Sequence, residues 1–141
     1  MGLDCNLGFN PDSNNWTDSG LADFLKTVPQ FAMYASENFG KHQVPTLRNV
    51  DKRPNMEFVK SYCHNGYFRS LEEIVHFYNT RDVLPPANKV TDPKPGVNCW
   101  PEPEVIANMN KNELGDLGLT PEEESAIVAF LRTLSDGYSL K

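Results

Sequence analysis

The stretch SYCHNGYFRSLEEIVHFYN, residues 61–79, gathers the side chains best suited to chemistry in this chain. His64 follows Cys63 on an Asn65-Gly66 turn whose glycine suits a positive φ, and an imidazole presented there can ligate a metal ion. Tyr78, at the end of the stretch, taken alone reads as a core tyrosine, because it shares an apolar helical face with Leu71, Ile74 and Val75. Arg48, in PTLRN, carries a planar fork that either matches a carboxylate bidentately or braces carbonyls of its own loop. The three cysteines, Cys5, Cys63 and Cys99, form no CxxC or CxxCH and are not spaced as zinc ligands. Cys63 and Cys99 are either a disulfide, in an oxidising compartment, or two small buried thiols. Glu72, Glu73 and Glu122–Glu124 lie where they cap helices and meet the helix dipole, while His42 and His76 read as surface residues.

These side chains need elements to position them. A helix is expected after Asp18 as N-cap, with Leu21, Phe24, Leu25 and Val28 on one face and Pro29 stopping it. Residues 39–50 carry Pro45 and no period, which predicts a loop or extended segment, and one helical turn is expected near Met56–Lys60. Ser70 with Glu73 three residues on is a capping box opening a helix that turns Leu71, Ile74, Val75 and Tyr78 inward. Residues 81–112 are proline-rich and aperiodic, a long surface loop of the kind that is seldom idle. The last helix is marked by Thr120 as N-cap, Pro121 at its first position, Glu123 completing a second capping box, an apolar stripe of Ile127, Phe130, Leu131 and Leu134, and Gly137 beyond it.

A length of 141 residues with 39% hydrophobic content supports one modest core and a single domain. The net charge of −6, with basic residues scattered, excludes the electrostatic footprint of a nucleic-acid or anionic-membrane binder. No apolar run is long enough for a membrane span, and the first residues resemble no secretion signal. Three short helices make a thin core, so a large prosthetic group or further chain is expected to complete it.

Three blocks, QVPTLRNV, YCHNGYFRSLEEIVHFYN and LGLTPEEESAIVAFLRTLSD, resemble in order and spacing the C-terminal haem domain of the bacterial diheme cytochrome c peroxidase and MauG family. The resemblance runs from about Gly20 to the end. It implies a mostly α, cytochrome c-like domain of short helices joined by long loops, incomplete at its N-terminus, with residues 1–141 its C-terminal part and about 81–112 a surface loop. It implies a c-type haem whose CxxCH lies upstream of PTLRN; no CxxCH occurs here, so the chain is expected to be the last third of a longer periplasmic protein.

In the peroxidases the distal ligand of this haem is a Met fourteen residues after the His of the HNG motif, and in MauG-like enzymes a Tyr; here that position is Tyr78. The resemblance therefore makes Tyr78 the axial iron ligand. It puts His64 at the haem edge, Arg48 on a propionate, and Leu47 and Val44 along the haem face. A phenolate favours ferric and higher-valent iron, which points toward a MauG-like oxidant. The family also binds calcium between its haems, near Val59 and Ser61 by alignment, although the usual Thr-x-Pro is absent, and Cys63 stands where Met or Phe is more usual. The implied function is electron transfer coupled to peroxide reduction at a second haem outside this chain. The partners are the missing N-terminal haem domain and an electron donor or protein substrate, with no nucleic acid and no membrane span. The competing expectation is a haem-free structural or interaction module derived from the same domain. Expressed alone, the chain is expected to leave Ile127, Phe130 and Leu131 partly exposed and to be poorly stable.

Overall fold

The computed structural model describes residues 17–137 apart from Met56. The regular structure is mostly helical: α1 (Leu21–Thr27), α2 (Leu71–Thr80) and α3 (Pro121–Thr133), with single 3-10 turns at Ala32–Tyr34, Ser36–Asn38, Ala87–Lys89 and Ile106–Asn108. Among the described residues, isolated bridges such as Tyr62 with Phe68 and Pro86 with Trp100 supply the β pairing.

Both capping boxes form as the sequence predicts. Ser70 accepts from the Glu73 amide at the start of α2, Thr120 accepts from the Glu123 amide at the start of α3, and each glutamate reaches back to the cap amide. Each box satisfies two amides that the first helical turn leaves without partners. The α1 cap differs: Gly20 (φ 55°) is the N-cap, and Asp18 accepts from the Gly20 amide at 2.9 Å. The cause is tertiary, because Gly20 pairs with Lys41 and a Cβ there would lie 2.3 Å from the Lys41 carbonyl oxygen. The turn expected near Met56–Lys60 is not helical in its described part; Glu57 and Phe58 close on Asn55 instead.

The core lies where α2 packs on α3. Leu71, Val75 and Val128 are buried with Tyr62, Phe68 and Trp100, and Ile74, Phe77, Leu84 and Leu131 pack against them. Each fully buried aliphatic side chain contributes about 1.5–3 kcal/mol. The stripe of α3 is rotated from the expected one: Val128 and Leu131 face the core, whereas Ile127 and Phe130 face outward, Phe130 at 60% exposure. The expected exposure of Ile127 and Phe130 is therefore present, and Leu131 is partly buried.

The proline-rich segment is more than a surface loop, because its Trp100 is an anchor. Trp100 is 4% exposed, donates from Nε1 to Thr80 Oγ at 3.0 Å, and exchanges backbone bonds with Pro85 and Ala87. Cys99 beside it is fully buried, while Cys63 is exposed and both thiols are free. No disulfide joins them, and of the two buried thiols expected only Cys99 is one.

The expectations for two more residues need correction. His76 is half-buried rather than a surface residue, with Nδ1 3.0 Å from a Glu124 carboxylate oxygen and Nε2 3.1 Å from the Gly96 carbonyl. This ties α2, α3 and the proline-rich segment together. Tyr78 does not join the core, because the inward position at the end of α2 belongs to Asn79. That amide bonds both the N–H and C=O of Leu119 and reaches Glu124, and the Gly115 amide donates to the Tyr78 carbonyl. The chain entering α3 thereby covers Asn79 and leaves the Tyr78 ring turned aside, 40% exposed.

Candidate functional site

Tyr78 turns into a cleft of about 820 Å³ that runs between α2 and the segments at residues 40–44 and 101–110. That volume lies within the range of cofactor pockets. One wall comes from α2 and the loop before it. Phe68 and Phe77 line the cleft with ring centroids 5.0 Å apart and lean on Trp100 behind them. Cys63, His64 and Tyr67 continue this wall. The turn that presents them has Cys63 at φ 64° and Gly66 at φ 66°, closed by the Gly66 amide on the Cys63 carbonyl, so the expected positive-φ glycine is present and Cys63 shares its conformation. A non-glycine residue there is uncommon and is held only by its surroundings.

The opposite wall is a strap, residues 101–110, that the sequence did not mark as part of a site. Asn108 donates to the Phe39 and Ser36 carbonyls, and Gly40 (φ 76°) packs so closely on Val105 that a Cβ would meet its methyl at 2.5 Å. Arg81, at the end of α2, also lines the cleft, with its guanidinium engaged by Asp82 and by the Asn110 and Leu114 carbonyls.

Of the residues singled out from sequence, Tyr78, His64, Val44, Cys63 and His42 meet in this cleft. Arg48 and Leu47 are not among its lining residues. Arg48 is exposed and pairs with Asp136 at 2.8 Å, which Asn49 also bonds. Val59 is exposed, and the Ser61 hydroxyl accepts from Arg69. His42 is exposed, as expected, yet its ring stacks on His64 at 3.8 Å and 10°.

Burial is the main influence on the titrating groups of the cleft. Burial pushes the Tyr78 hydroxyl above its ordinary value, Cys63 adds to that, and the Arg81 guanidinium pulls the other way. The ring is therefore neutral on its own and needs a cation to become phenolate. Partial desolvation in the cleft wall likewise raises the Cys63 thiol, although the residue keeps an exposed surface. His64 is lowered, by burial first and by His42 second, with Glu104 and Asp18 opposing.

Comparison with known proteins decides the family. The chain is 39% identical over 98 residues to the methylamine utilization protein MauG of Paracoccus denitrificans, covering 69% of this chain and 23% of that protein. The chain belongs to the diheme cytochrome c peroxidase and MauG family. Two cytochrome-c peroxidases agree: IdrP1 of Denitromonas iodatirespirans (30% identity, 70% of this chain, 19% of the relative) and IdrP2 of a Pseudomonas species (26%, 86% and 25%). The chain thus spans about a quarter or less of the length of these relatives. No family profile matches it, and no solved structure does.

Proposed function

We propose that the chain forms one side of a c-type haem site in a periplasmic diheme oxidoreductase, a cytochrome c-like domain with Tyr78 as axial iron ligand. The observation that carries this reading is the position of Tyr78. It lies on a helix whose neighbouring turns are buried, yet its ring leaves the core for a cleft walled by Phe68 and Phe77.

The residues present fit a haem. The cleft has cofactor size and aromatic walls, Tyr78 lines it, and Arg81 favours the phenolate form of Tyr78. Tyr78 would hold the iron, His64 and Val44 would flank the porphyrin edge, and Phe68 and Phe77 would exclude water from its face. When bound, the haem supplies one-electron chemistry, which a phenolate ligand tunes toward the ferric side. In this reading Arg48 reaches a propionate only by giving up Asp136. Covalent attachment needs a CxxCH from another segment, and peroxide reduction takes place at a second haem outside this chain. The N-terminal haem domain, an electron donor or protein substrate, and a calcium ion near Val59 and Ser61 belong to the same proposal. The apolar face at Ile127 and Phe130 is where a further domain would pack.

The test is titration of ferric haem into the purified chain. The expected outcome is saturable one-to-one binding with a tyrosinate-type ferric spectrum that Tyr78→Phe abolishes. No saturable binding would favour a haem-free structural or interaction module.

A further inference from the structure

His42 and His64 differ from His76 in one respect: neither ring makes a hydrogen bond within the described residues, whereas both nitrogens of His76 are engaged. Asp18 joins them, and one ligand atom from each of Asp18, His42 and His64 lies within 4.8 Å of the others. These residues come from three places in the sequence, and the backbone fixes each. The Gly40 amide donates to the Ser19 carbonyl at 3.0 Å and the Leu21 amide to the Lys41 carbonyl at 2.7 Å, which sets Asp18 beside His42. The Gly20 amide holds one Asp18 oxygen at 2.9 Å and so orients the carboxylate. The Cys63–Gly66 turn brings His64 over, and Glu104 of the strap adds a second negative charge near its ring.

We propose that Asp18, His42 and His64 bind a divalent first-row transition ion of the zinc class in the haem-free chain, within the same cleft that Tyr78 lines. Two imidazoles and one carboxylate are the donor set such ions take, and three protein ligands leave one position open. Metal–ligand bonds of about 2.1 Å in tetrahedral geometry place ligand atoms about 3.4 Å apart. Closure from the observed spacing needs a contraction of little more than about 1 Å and a turn of the rings out of their 3.8 Å stack, because the in-plane lone pairs of parallel rings do not converge on one ion; both rings are exposed and can make that turn. Asp18 and Glu104 offset the two charges of the ion. The Gly20 amide on Asp18 is the kind of outer partner that holds a metal ligand in orientation.

The test titrates Co2+, a spectroscopically visible stand-in for Zn2+, into the metal-stripped, tag-free full chain. The expected result is one equivalent bound with visible d–d absorption, displaced by Zn2+. His42→Gln and His64→Gln should each weaken binding by about 100-fold or more, beyond the loss typical of an outer partner. Circular dichroism confirms that these exposed substitutions leave the fold intact. Cys63→Ser and Tyr78→Phe should leave Co2+ binding unchanged, which keeps this result independent of the haem reading. Absence of saturable uptake, or uptake that survives both histidine substitutions, would overturn the site.

Discussion

Trp100 is the residue through which the proline-rich segment becomes structure, and truncating it tests that role quantitatively. Trp100→Ala removes a ring that is 4% exposed and packed on Phe68 and Phe77, which is expected to cost about 3–5 kcal/mol. Trp100→Phe keeps most of the burial but loses the Nε1 bond to Thr80, about 1 kcal/mol for the bond plus a smaller packing loss. Thr80 is not orphaned, since its hydroxyl still donates to the His76 carbonyl at 2.7 Å. Domains of this size hold only about 5–15 kcal/mol in all, so the alanine variant should lose about a fifth or more of its stability. Urea unfolding followed by far-ultraviolet circular dichroism is the assay, because the substitutions remove one of the two tryptophans and would change the fluorescence signal itself; the midpoint should fall in the order wild type, Phe, Ala at nearly constant slope. An alanine variant within about 1 kcal/mol of wild type would show that the segment is not anchored to the core, and the strap would then not wall the cleft.

Further outcomes follow from the same contacts. Thr120→Ala removes the α3 cap and should cost about 1 kcal/mol in a thermal melt. Gly40→Ala places a methyl against Val105 at a positive φ; it should lower stability by more than about 1 kcal/mol and weaken haem uptake, whereas an unchanged haem affinity would separate the strap from the site. The Arg81 guanidinium hydrogen-bonded to Asp82 holds that carboxyl below its ordinary value, against the opposing effect of burial. A carboxyl depressed in the folded state stabilises the fold above its unfolded value, about pH 4, and that stability is lost as pH falls through the folded value. Asp82→Asn should therefore flatten the acid limb of a stability–pH curve below about pH 4, and an identical limb would count against the pair.

What the sequence made legible was local. The capping boxes at Ser70 and Thr120 and the Gly66 turn depend on residues within a few positions of one another, and each forms as expected. Long-range pairings carried no such signal. Nothing near His76 points to Glu124, 48 residues away, and nothing around Trp100 shows that it would fill the core between α2 and the strap. In α3 apolar residues occupy two faces, so periodicity alone could not decide whether Val128 or Phe130 turns inward. At the end of α2 the buried amide of Asn79 displaced Tyr78 from the core, an outcome that hydrophobic patterning cannot anticipate because the buried residue is polar. The candidate site divided in the same way. Tyr78, His64 and Val44 are reached through motif spacing, whereas Arg81, Phe77 and the strap are brought in by packing, and Arg48 is drawn aside by Asp136 from the far end of the chain.

The most direct test of the account is a resonance Raman spectrum of the ferric haem-loaded chain, excited in the tyrosinate-to-iron charge-transfer region. The account predicts enhanced phenolate ring modes in the wild type that vanish in Tyr78→Phe while haem remains bound. Phenolate modes that persist in Tyr78→Phe, or that are absent from the wild type, would contradict it.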